Sequence, residues 1–205
     1  MFVRHPGLHL GSRPAVASRW SGSELRRRVA LQAAAESWLF AELGRGAQMA
    51  VEPALAVLLD VHARHHAWHA ELLGAQLALL PPTEAGAAGA LVAPLTALLA
   101  GLSDEQAGLG RLAVAYRVVV PRLVGAYGEQ LEGASPVADG PVLRATELVQ
   151  TDELRHWEAG ERALQSLLVS AVVVGETARL VARAETCLVD AGGLVPGPPP
   201  PADGP

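Results

Sequence analysis

The segment VHARHHAWHAELL, residues 61–73, places His62, His65, His66 and His69 within eight consecutive positions of a chain that has only seven histidines. Farther on, Glu153-Leu154-Arg155-His156 sets a carboxylate and an imidazole three residues apart, and Glu36 lies about thirty residues before the histidine cluster. Residues spaced i, i+3 or i, i+4 are neighbours on one face of a helix, so each group presents its donors together. Imidazole nitrogens and carboxylate oxygens are the ligands that divalent transition metals take from proteins. Burying such groups unpaired costs several kcal/mol. If they face a core, they must be paired with each other, hydrated, or bound to a metal, which accepts deprotonated carboxylates and neutral imidazoles directly.

Composition removes several other chemistries. The sequence contains no Lys, Asn or Ile, a bias of G/C-rich coding rather than of protein physics. Without lysine there is neither a Schiff-base amine nor a P-loop lysine. The single Cys187 excludes an internal disulfide, a cysteine zinc finger and an iron–sulfur cluster. It suits a reducing compartment, and the expected location is cytoplasmic. A formal net charge of −5 leaves no global positive field for nucleic acid or an anionic membrane, so neither is an expected partner. The uncharged run 85–103 approaches spanning length, but Pro94 and repeated glycines weaken it as a bilayer helix.

At 205 residues, half of them hydrophobic, the chain suffices for one domain with a substantial core. Residues 1–22 read as a disordered leader, 23–190 as a helical bundle, and the Pro/Gly-rich 191–205 as a disordered tail. Within the bundle the periodicity is helical throughout, with no alternation of period two. Ser23 is positioned to cap a first helix that GRG stops near Leu43. Pro53 opens a second helix, which ends at Pro81–Pro82. A stretch over 81–102 holds one short helix near Leu91–Ala100. Ser103-Asp104-Glu105-Gln106 reads as a capping box for a third helix running to about Glu132 and kinked at Pro121. Pro141 opens a fourth helix, and Ser170–Asp190 forms a fifth, ended by Gly192–Gly193. Short links between the first two helices and between the third and fourth, with a long one between, suit an up-down four-helix bundle with a crossover.

A helix turns by about 100° per residue, so each face can be projected. In the first helix Leu25, Val29, Phe40 and Leu43 form a stripe that contains Glu36, while Arg27 and Glu42 fall well off it. In the second, the four histidines occupy an arc of about 100° centred on the leucine stripe, and Asp60 points away. The fourth helix sets Glu153 and His156 among Val142, Val149, Leu164 and Leu167. The third offers Tyr116 and Tyr127 on its inward side, but no carboxylate, because Glu129 and Glu132 project elsewhere. The expected metal ligands are therefore Glu36, His62, His65, His66, His69, Glu153 and His156, with Tyr116 beside them in the core. Trp38 and Trp157 read as packing residues.

Glu36, a histidine-bearing second helix, a long crossover and Glu153-x-x-His156 together resemble the ferritin-like superfamily of four-helix carboxylate-bridged diiron proteins, over about residues 23–168. The resemblance implies that Glu36, Glu153 and His156 are ligands, with His69 or His65 standing for the histidine of the first half's motif. It also implies iron, manganese or another divalent transition metal as cofactor, and oxidoreductase chemistry. The pattern departs from the family in two places. His62-x-x-His65 and His66-x-x-His69 stand where Glu-x-x-His belongs, and the third helix lacks its Glu, with Tyr116 on that face. Two carboxylates point to a histidine-rich mononuclear or dissimilar site. The alternative is a non-catalytic bundle whose site has decayed and which serves as an assembly or metal-binding module. Leu31, Ala34 and Trp38, on the outer face of the first helix, could meet the last helix or a second copy of the chain.

Overall fold

Alanine- and leucine-rich segments punctuated by proline and glycine fold into helices along the whole of the described chain. The computed structural model describes residues 18–82 and 88–194. Its helices are α1 (Gly22–Met49), α2 (Pro53–Leu77), α3 (Ala93–Ala100), α4 (Asp104–Val114), α5 (Val120–Gly133), α6 (Gly140–Leu167) and α7 (Ala171–Asp190). A 3-10 turn, Ala88–Leu91, precedes α3, and a π-helical turn, Ala115–Val119, joins α4 to α5 into one rod. No strand occurs among the described residues. None of these helices is long and apolar enough to cross a membrane.

The four long rods close a ring. α1 packs against α2 and the α4–α5 rod, and α6 packs against the same two neighbours from the other side. Leu39, Leu59, Leu73, Leu112, Leu123 and Leu164 are fully or almost fully buried between them. The link over 78–103 carries the 3-10 turn and α3. The turn packs on α1, and α3 meets α7, which also lies along α4. A buried polar layer crosses the ring near one end. Gln32 Nε2 donates to Gln130 Oε1 (3.1 Å), Gln130 Nε2 to Thr146 Oγ1 (2.7 Å), and Thr146 Oγ1 to the Val142 carbonyl (2.8 Å). Hydrogen bonds between side chains on different rods hold only in one axial register, so this layer fixes the levels of α1, α5 and α6.

Several sequence expectations are corrected in detail. α1 starts two residues earlier, with Ser21 rather than Ser23 as its cap, and continues through GRG to Met49. Gly46 stays helical because it is packed beside Leu59 and Leu112. Phe40, placed in the inward stripe, is instead 47% exposed, since it stands at the stripe's edge over a groove floored by Ala41, Gly44 and Ala56. Glu42, projected outward, is buried. The α4–α5 rod covers that side of α1, and Arg111 Nε lies 3.0 Å from Glu42 Oε2, with Arg45 as a second partner. Ser103 starts α4 without the reciprocal capping box, its hydroxyl instead donating to Gln106 Oε1 (3.2 Å). The distortion expected at Pro121 takes the form of the π turn just before it, where the missing N–H of proline falls in the opening turn of α5.

Trp38, assigned to an outer face awaiting the last helix or a second subunit, is covered by the crossover. It is buried, and its indole N–H donates to Thr96 Oγ1 on α3 (3.0 Å). The expected leader and tail lie mostly outside the described residues. Of the described part, Arg19 N–H donates to the Gly133 carbonyl (2.8 Å), and Trp20 fills the space where a Cβ on Gly133 would stand, 2.4 Å from its ring. At the other end α7 closes with Gly192 and Gly193 at φ 99° and 70°, the left-handed conformation that glycine reaches without strain.

Trp38→Ala removes the buried indole that Thr96 of α3 binds on the face of α1. A loss of about 3–5 kcal/mol in chemical denaturation is expected, with Thr96→Ala costing about 1 kcal/mol.

Candidate metal centre

Three rods bring four side chains to one point. Glu36 comes from α1, His66 and His69 from consecutive turns of α2, and Glu153 from α6. All four are 0% exposed. Each offers one ligand atom, and these atoms lie within 4.8 Å of one another. His66 Nδ1 stands between Glu36 Oε2 (2.6 Å) and Glu153 Oε1 (3.2 Å). His69 Nδ1 spans the same pair, at 3.1 Å from Glu153 Oε1 and 3.4 Å from Glu36 Oε2. Two carboxylates thus share two imidazoles. His66 Nε2, His69 Nε2 and Glu153 Oε2 are buried with no hydrogen-bond partner. Orphaned donors and acceptors are uncommon in protein interiors. Two oxygen and two nitrogen donors, some unsatisfied, fit a divalent transition metal, so this buried Glu/His group can hold one.

The electrostatics follow from burial set against charge. Burial disfavours the imidazolium of His66, but the Glu153 and Glu36 carboxylates outweigh it and raise its pKa to about 10. The same contest raises His69 to about 9. Burial likewise opposes charge on Glu153, yet His66 above all, with hydrogen bonds from His156, His66 and His69, holds it well below the usual carboxylate range. Without metal, protons on His66 and His69 supply the positive charge that the carboxylates require.

The remaining histidines form an outer tier. His62 and His156 are 5% exposed, with ring centroids 4.3 Å apart. Burial first, then the electrostatic influence of His156 and His66, lowers the His62 pKa to about 3, so it is neutral. His156 Nδ1 lies 3.4 Å from Glu153 Oε1, and its Nε2 lies 2.9 Å from His65 Nδ1. His65 itself is exposed at the seam between α2 and α6. Its position at the edge of the histidine arc, about 40° beyond His69, accounts for that.

The α4–α5 rod contributes phenols in place of a carboxylate. Tyr127 donates its hydroxyl to Glu36 Oε1 (2.5 Å), and the Tyr116 hydroxyl pairs with His62 Nδ1 (2.7 Å). Burial, then Glu153 for Tyr116 and Glu36 for Tyr127, pushes both phenols upward, so they remain protonated at neutral pH. Tyr116 lies in the π turn, which Arg117 ties to α6 by two bonds to Glu161 (3.1 and 2.7 Å). Gly160, the residue before Glu161, makes this possible, because a Cβ there would stand 2.2 Å from the Tyr116 ring.

Of the seven expected ligands, Glu36, His66, His69 and Glu153 converge on one point. His62 and His156 lie against that group, and His65 reaches it only through His156. Sequence projection missed two participants. Tyr127 was recognised as inward-facing, yet its distance from Glu36 in sequence concealed the pairing. Asp152 was passed over because it lies beside the stripe, although its Oδ2 comes within 3.5 Å of His69 Nε2. No protein-family model matches the chain, and neither the curated proteins nor the solved structures provide a match.

In the metal-free protein, His66 and His69 contribute stability that is complete below pH 6.5 and lost as pH rises through about 9 to 10. His62, with its lowered pKa, contributes stability present above pH 6.5 and lost toward pH 3, and Glu153 adds to that acid loss below its ordinary range near 4.5. Thermal unfolding in chelator across pH 4–11 should therefore show its highest midpoint near pH 6.5, falling steadily as pH rises toward about 9 to 10 and falling again toward acid. Gly160→Ala should cost about 1–3 kcal/mol by displacing Tyr116. Tyr116→Phe, which keeps the ring and loses only the His62 bond, should cost about 1 kcal/mol. Urea unfolding of the two variants compares them.

Proposed function

We propose that the chain is a ferritin-like metalloprotein in which Glu36, His66, His69 and Glu153 hold one divalent transition metal, iron or manganese, for oxidoreductase chemistry. One observation carries the metal reading: two carboxylates and two imidazoles from three rods, each wholly buried, meet within 4.8 Å. The ferritin-like part draws support from the ring of four rods, with short links at 50–52 and 134–139 and a long one at 78–103. A single ion suits the donor set better than a pair, since α4–α5 brings Tyr127 where a third carboxylate would be needed. Two carboxylates balance the charge of one divalent ion.

A bound iron or manganese would supply one-electron redox chemistry. The chain's own residues would exclude water from the ion, hold Glu36 in place through Tyr127, and orient His62 through Tyr116. Complete burial of all four donors favours a second reading, a metal site that stabilises the bundle without turnover. Oxygen consumption by the loaded protein in the presence of a reductant supports the first reading. Its absence, with metal-dependent stabilisation retained, supports the second.

The metal reading is tested by stripping the protein with chelator and loading it anaerobically with Fe²⁺, Mn²⁺ or Zn²⁺. A single tightly held ion per chain by elemental analysis is expected, with protons released on uptake. The double variant His66→Gln/Glu153→Gln should hold none at concentrations that saturate the parent, while circular dichroism shows its helices intact. Equal metal content in parent and variant would refute the assignment.

A further inference from the structure

We propose that His65 and Asp152 form the entrance at which a divalent transition metal is captured before passing to the buried Glu/His group. The inference rests on the metal reading of that group and adds the route by which the ion reaches it. All four inner donors are 0% exposed, so an ion must cross protein to arrive. Stripping water from a divalent cation without replacement ligands is prohibitive, which requires a route lined with donors.

The seam of α2 and α6 offers such a route among the described residues. Toward α4–α5 the way is closed by buried phenols, Tyr127 against Glu36 and Tyr116 against His62. At the seam of α2 and α6, by contrast, donors run from solvent inward. His65 is exposed, and the Asp152 side chain keeps 30% of its surface in solvent. His65 Nδ1 lies 2.9 Å from His156 Nε2, with the rings stacked at 5.1 Å, and His156 Nδ1 lies 3.4 Å from Glu153 Oε1. Asp152 Oδ2 lies 3.5 Å from His69 Nε2, a fully buried atom without a hydrogen-bond partner. Two ladders of donors thus begin at the surface and end on inner ligands, with no step longer than 3.5 Å.

The helix register produces this convergence. His65 is one turn before His69 on α2, and Asp152 is one turn before His156 on α6, each on the side that faces the other helix. The rings of His69 and His156, which Asp152 and His65 respectively reach, have centroids 5.9 Å apart, so both ladders open at one level of the seam. Arg155 is held only loosely, with Nη1 at 3.6 Å from Asp152 Oδ1 and its side chain mostly in solvent. The mouth therefore presents a carboxylate and an imidazole to an approaching cation, and local negative charge raises cation on-rates.

The test follows Co²⁺ uptake by its visible absorbance in anaerobic stopped flow, comparing the parent, His65→Ala, Asp152→Asn and the double variant. Loading should slow about tenfold in the double variant. Removal of Co²⁺ by excess chelator should slow by the same factor, leaving the dissociation constant and the stoichiometry unchanged. A residue on the path alters the barrier and not its end points. Glu176→Gln, an exposed charge change on α7, should leave loading at the parent's rate. Unchanged loading in the double variant overturns the entrance while leaving the metal site standing. A weakened dissociation constant with faster release overturns it too, by making these residues ligands of the resting ion. Failure of the parent to take up Co²⁺ refutes the metal reading itself, and the entrance with it.

Discussion

Two carboxylates, Glu36 and Glu153, sit wholly buried from bulk solvent, and the rest of the interior is arranged around neutralising them. An isolated carboxylate in that setting would be untenable. Two positive charges must be close by, and His66 and His69 provide them, each Nδ1 within 3.4 Å of both acids. Two imidazolium protons or one divalent cation satisfy the same electrostatic demand. The interior could therefore hold either two protons or one divalent ion at equal net charge. Such exchange would couple metal affinity to pH and would make a bound ion a contributor to folding stability.

That arrangement tolerates little axial or rotational error, because hydrogen bonds at 2.5–3.1 Å link residues from four rods. Register is set one level away by Gln32, Gln130 and Thr146, which are buried and mutually bonded. On the opposite side the pairs Tyr116–Arg117 and Gly160–Glu161 act as one joint. The missing Cβ of Gly160 admits the phenol ring, the Arg117 fork on Glu161 holds the π turn against α6, and the hydroxyl meets His62. π-helical turns inside α-helices occur often at functional sites. Here the turn carries a residue that touches the imidazole tier.

Much of this was legible without coordinates. Helical periodicity, proline and glycine punctuation, and the contrast of short and long links led to the long helices and the crossover, with ends off by a few residues. The projection of α2 and α6 identified Glu153, His66 and His69 as inward, and that of α1 identified Glu36, because one leucine stripe dominates each of these helices locally. The same method failed for Glu42 and Trp38. It assumes that a helix is buried on one side, whereas α1 is flanked by α2, by α4–α5 and by the crossover turn. It also failed to separate His65 from the other three histidines, since a projected arc of about 100° does not say where the neighbouring helix ends and solvent begins.

The sequence by itself determined which residue types could bind metal and on which helical faces they lie, because the angle between residues along one helix is a local property of the backbone. Only the tertiary structure decided which of those faces meet. Packing between rods brought Glu36 to His66 across thirty residues and Glu153 to His69 across more than eighty. It also turned His65 toward solvent and put Tyr127 rather than a carboxylate on the fourth side. Those pairings depend on rotation and axial shift between helices. Both are set by the summed fit of many side chains, and no single segment encodes them.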